Sequence, residues 1–119
     1  MIRIKRVYES ADDSDGYRVL VDRLWPRGVT KERAALGEWL KDAAPSSVLR
    51  TWWSHDPAKM PQFAARYRVE LLDDPIPLEH LKSLEREHGT VTLVFAARDP
   101  VVNHAQVLRD VFEERFGRR

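Results

Sequence analysis

Two short apolar runs, Val19-Leu20-Val21 and Val91 to Phe95, stand far apart in this chain, and most of what separates them carries helical spacing. Continuous β-branched and aliphatic runs without polar alternation belong to strands covered on both faces, as in parallel sheets. Strands near both ends of a chain, with helices between them, require crossover connections. The expected fold is therefore α/β: a small three-layer sandwich with a mostly parallel central sheet flanked by helices.

The remaining segments fit that frame. From Met1 to Tyr8, Ile2, Ile4, Arg6 and Tyr8 alternate with Arg3, Lys5 and Val7, which predicts a first strand with one side partly solvated. Glu9 to Gly16 has turn chemistry and is expected as an exposed loop. The central strand is expected over Tyr17 to Arg23. Thr30 caps a short helix through Ala35, with Gly37 as terminator, and Glu38 to Ala43 reads as a brief strand or a helix end. Ser46 and Ser47 offer a cap for a helix through Trp53, and Asp56-Pro57 starts another with Met60, Phe63, Ala64, Tyr67 and Leu71 inward. Ile76-Pro77 opens a helix striped by Leu78, Leu81 and Leu84 that ends at His88-Gly89. The second buried strand spans Thr90 to Ala97, and Asp99-Pro100 is the expected start of the last helix.

At 119 residues, 43% hydrophobic and 33% charged, the chain suits one domain over residues 1–119. No stretch approaches the roughly 18 unbroken apolar residues of a membrane span, and the N-terminus lacks a secretory apolar segment, so a cytoplasmic location and no membrane partner are expected. The absence of cysteine excludes disulfides, cysteine nucleophiles and thiolate metal sites. A formal charge of +1 provides no overall basic field for nucleic acid.

Charge is instead concentrated where the two buried strands end, in Asp22-Arg23 and in Arg98-Asp99. Parallel neighbours bring both pairs to one edge of the sheet, where ligands dock in open α/β folds. Arg23, Arg27 and Arg98 can grip a phosphate or carboxylate through planar, bidentate bonds. Alternatively Asp22 pairs with Arg98, and Arg23 with Asp99, as a structural clasp. His104, just after Asn103, lies near the same edge. It can act as general acid or base, with Asp22 or Asp99 as its orienting partner, or it can donate to a loop carbonyl and fix the turn. Asn103 suits a local cap as well as a ligand contact.

Trp25, fixed before Pro26 and flanked by arginines, can stack on a ring or close the open end of the core. His55 is a further candidate contact. Asp56 is explained as a helix cap, and no second histidine stands at zinc-motif spacing, so no metal site is expected. No glycine-rich phosphate loop, nucleophile elbow or dinucleotide fingerprint is present. The sequence names no cofactor and fixes no oligomeric state.

Val21-Asp22-Arg23-Leu24-Trp25-Pro26-Arg27-Gly28, with Ala44-Pro45-Ser46, His55-Asp56-Pro57, Arg66-Tyr67 and Asn103-His104-Ala105, resembles the domain of unknown function 488 family in its YeaO-like branch, over nearly the whole chain. The resemblance implies a small cytosolic bacterial α/β domain. Some relatives have Cys-His-Arg where Asn103-His104-Ala105 stands here, so a role of that cysteine does not transfer, while the His104 position does. Together these readings predict a protein that binds a small anionic ligand at the strand ends, with the possibility of catalysis left open. The alternative is a non-catalytic regulatory or nucleic-acid-associated module that uses Trp25 for stacking and the basic Arg115, Arg118 and Arg119 for phosphate contact. A third reading makes the charged cluster a lock on the fold.

Overall fold

The computed structural model describes residues 1–117. Its sheet has four strands: β1 (Ile2–Arg6), β2 (Tyr17–Leu20), β3 (Glu38–Trp39) and β4 (Val91–Phe95). All the pairings are parallel, in the order β1-β4-β2-β3. Five helices accompany them: α1 (Lys31–Ala34), α2 (Ser47–Trp53), α3 (Met60–Asp73), α4 (Ile76–His88) and α5 (His104–Phe116). No helix among the described residues is long and apolar enough to cross a membrane.

The alternation of side chains along the strands builds a core on each face. Val19, Val91, Leu93 and Phe95 join Leu49, Trp53, Phe63, Tyr67, Leu81 and Leu108 from α2 to α5 in the larger one. Leu20 and Val94 point the other way and join Val7, Val29 and Ala34, with Trp25 and Trp39 packed against them. The sandwich is thus lopsided, with four helices on one face and the segment after β2, including α1, on the other.

Local signals explain most boundaries. Thr30, Ser46 and Asn103 accept from the Arg33, Leu49 and Gln106 amides at the starts of α1, α2 and α5. Asp56 accepts from Ala58 in a 3-10 turn, Pro57–Lys59, that leads into α3.

Five expectations are corrected. First, α1 ends at Ala35 in the left-handed conformation, at φ 48°. Gly37 is needed instead because a Cβ there would sit 2.2 Å from the Tyr17 ring. Second, β1 alternates only as far as Arg6, beyond which Val7 and Tyr8 both turn toward the smaller core. Third, β2 and β4 are shorter than the expected Tyr17 to Arg23 and Thr90 to Ala97, because the chain leaves the ladder at Leu20 and Phe95. Fourth, α5 begins at His104 rather than at Asp99-Pro100. Asp99 caps a separate turn, accepting from the Val101 and Val102 amides at 2.8 and 2.9 Å.

The fifth concerns the loop before β2, which is not simply exposed. Asp12 and Asp15 form a reciprocal capping box around Asp13–Asp15, and Asp15 is only 2% exposed. Its carboxylate pairs with Arg18 at 2.6 Å and Lys5 at 3.2 Å, and its carbonyl accepts from the Thr92 hydroxyl. A strand carrying Arg18 into a covered position needs this counter-charge. Burial alone pushes the Asp15 carboxyl up. The Asp12 amide, Lys5 and Arg18 more than offset that and hold it below the ordinary value of 3.8.

Candidate functional site

A crevice opens where the chain leaves β2 and β4 in opposite directions. After Leu20 it turns toward Trp25, Val29 and α1 on one face of the sheet, whereas after Phe95 it turns toward α5 on the other. Such a divergence between neighbouring parallel strands leaves a gap at their carboxyl ends. The cavity measures about 590 Å³ and is lined by the segments around residues 22–27, 44–45, 50–55 and 96–104, with Tyr8 at one side.

Of the residues singled out from sequence, Asp22, Arg23, Trp25, Arg27, His55, Arg98, Asp99 and His104 all line this cavity. Asn103 does not. It is fully buried, its oxygen caps the Gln106 amide, and its amide group donates to the Asp99 carbonyl.

Asp22 ties the strand ends together through the backbone. Its Oδ2 accepts from the Ala96 amide at 2.9 Å, and its carbonyl accepts from the Trp39 indole at 2.7 Å. His104, 7% exposed, places Nε2 3.0 Å from Asp22 Oδ1 and 3.1 Å from the Val21 carbonyl. The hydrogen-bond geometry is good only toward the carbonyl, so the Nε2–H donates there and the carboxylate stands beside it. Asp22 is therefore the acid next to His104, and Asp99 is not, being occupied by its own turn. Those amide bonds hold the Asp99 carboxyl below its usual value.

The alternative clasp is absent among the described residues: Asp22 does not pair with Arg98, nor Arg23 with Asp99. Arg23 is half-buried and reaches only main-chain oxygens, with Nε 3.3 Å from the Pro45 carbonyl and Nη2 3.5 Å from the Ala44 carbonyl. Arg50, on α2, is also half-buried, and its Nε has no hydrogen-bond partner among the described residues. Arg27 and Arg98 stand exposed at the mouth, without an ion pair among the described residues. Four arginines thus face the cavity against two aspartates that are already engaged, in a protein whose formal charge is only +1.

Sequence reasoning missed Arg50, Tyr8 and Trp53 as lining residues. Arg50 carried a faint signal, as it lies between the buried Leu49 and Trp53 on one short helix.

Trp25 is anchored. Its indole donates to the Val29 carbonyl at 2.7 Å and its ring meets Trp39 edge-on at 5.4 Å, so it closes the smaller core while one side remains on the cavity. His55 follows Ser54 in the left-handed region, at φ 58° and 49°, and its ring lies 4.7 Å from that of Trp53. Burial, then the nearby His104 and Arg50, lower the His55 pKa below 6.5 against the pull of Asp22. Beneath them, the buried Tyr67 hydroxyl donates to the Ala43 carbonyl. Burial, then Glu70 and Asp22, raise its pKa well above 10.0, so it stays protonated.

Arg115 sits at the other end of α5, about 17 Å along the axis from His104, and bonds Glu79 at 3.4 Å. α5 packs in the larger core, whereas Trp25 packs against the smaller one. Arg118 and Arg119 lie outside the described residues. No group of three or more His, Cys, Asp or Glu side chains suited to a metal ion occurs among the described residues.

Comparison with known proteins gives a consistent family and no named activity. The family model described as "Inactive DUF488-N3 subclade" matches residues 1–119. The chain is 44% identical over 114 residues to the uncharacterized protein Rv3073c of Mycobacterium tuberculosis, covering 96% of this chain and 95% of the relative. It is 40% identical over 109 residues to the uncharacterized protein YeaO of Escherichia coli, covering 92% and 94%. No solved structure gives a significant match.

Proposed function

The chain belongs to the domain of unknown function 488 family, in the N3 branch described as an inactive subclade, and from that premise we propose that it binds a small anionic ligand in the β2–β4 crevice without transforming it. The observation that carries this reading is the pair of half-buried guanidinium groups, Arg23 and Arg50, which face the cavity with no carboxylate partner among the described residues. A buried charge is costly unless paired, and an arginine fork is matched in shape by phosphate or carboxylate. Arg27 and Arg98 at the mouth add attraction along the way in. The cavity falls within the roughly 300–1,000 Å³ typical of small-molecule sites.

Binding without chemistry fits the other groups present. The lining contains no Ser, Thr, Cys or Lys, so His104 has no such nucleophile to activate. Its Nε2 proton is directed to a main-chain carbonyl, which suits a positioning role across the strand ends. That agrees with the description of the subclade.

A titration with methyl phosphate at pH 8, followed by nitrogen-detected NMR, tests the proposal. The monoester is then a dianion, its second pKa being about 6. Shifts are expected to concentrate in residues 22–27, 45–50 and 96–104 and in the Nε–Hε signals of Arg23 and Arg50. Shifts spread over surface arginines such as Arg3 and Arg86, or none at millimolar ligand, would refute it.

A further inference from the structure

Resting on the anion-binding reading, we infer that the crevice takes an organic phosphate carrying an aromatic ring, with the ring laid on Trp25 and the phosphate held by Arg23 and Arg50. Size comes first. A volume of 590 Å³ equals that of about twenty liquid waters, far more than a bare tetrahedral oxyanion of five heavy atoms occupies. The walls come second. Tyr8, Leu24, Trp25, Pro26, Trp53 and Val102 give the cavity an extensive apolar and aromatic lining that a bare anion leaves unused.

Trp25 is the member of that wall best built to receive a ring. Its indole N–H is committed to Val29, Trp39 braces its edge, and Trp39 is itself bonded to the Asp22 carbonyl. The platform is therefore rigid before ligand arrives and fixed to the strand end beside Arg23, so little side-chain freedom is lost on stacking. The ring of His55 lines the same cavity, 4.7 Å from that of Trp53. The donors and the flat surfaces thus belong to one enclosure. The ligand class they fit combines an anionic head with a planar body.

Calorimetry with two probes at pH 8 tests this. Methyl phosphate and phenyl phosphate carry the same dianion, and only the second carries a ring. Phenyl phosphate is expected to bind at least about tenfold more tightly, the scale of one aromatic stack. Trp25→Leu should remove that advantage and Trp25→Phe should keep most of it, with thermal unfolding confirming that each variant is folded. The wild-type comparison stands by itself if the leucine variant does not fold. Equal binding of the two probes overturns the inference and leaves the anion reading intact, whereas binding of neither overturns both.

Discussion

Asp15→Ala is expected to lower the free energy of unfolding by about 3–5 kcal/mol, the range for removing one partner of a buried ion pair. A domain of this size has only about 5–15 kcal/mol in total. Asp15 and Arg18 are 2% and 4% exposed, and Arg18 Nη2 already lacks a hydrogen-bond partner among the described residues. Without Asp15, the guanidinium keeps only the Ala34 carbonyl. Denaturant unfolding followed by tryptophan fluorescence measures the loss, and a change under about 1 kcal/mol would show that the pair is replaceable. The same residue sets an acid limit. Because its folded pKa lies below 3.8, its contribution is fully present above that value and is lost as pH falls through the folded value. Asp15→Asn should accordingly show a smaller loss of stability on acidification than the wild type.

Arg23→Ala is expected to weaken methyl phosphate binding about tenfold or more, since a hydrogen bond to a charged group contributes about 1.5–3 kcal/mol. The fold should tolerate it, because the side chain makes only two long bonds, at 3.3 and 3.5 Å, to main-chain oxygens. Calorimetry and thermal unfolding together separate the two roles. Unchanged binding with a large fall in stability would make Arg23 part of a structural lock. Arg27→Ala should weaken binding less, since its exposed charge is screened by solvent and salt.

The legible part of this molecule is the part that follows from strand chemistry. Val19-Leu20-Val21 and Val91 to Phe95 predict covered parallel strands, and in the register the structure adopts, with Leu20 level with Val94, Asp22 comes beside Ala96. That brings the two charge pairs and His104 to one crevice. Which acid stands beside His104 was not legible, because it depends on how the chain turns between Phe95 and α5, and Asp99 is diverted into that turn. Nor was the role of Arg50, which depends on how α2 lies across the sheet. The burial of Asp15 was hidden by a wholly polar neighbourhood. Arg18, a charge at the start of a covered strand, was the clue that a counter-charge had to be near.

The β2–β4 crevice stands here as an anion site. The most direct measurement is a crystal structure of the protein with phenyl phosphate. The phosphate is expected against the guanidinium groups of Arg23 and Arg50, with the ring on Trp25. A crevice without ligand, with phenyl phosphate bound only elsewhere on the surface, would contradict it.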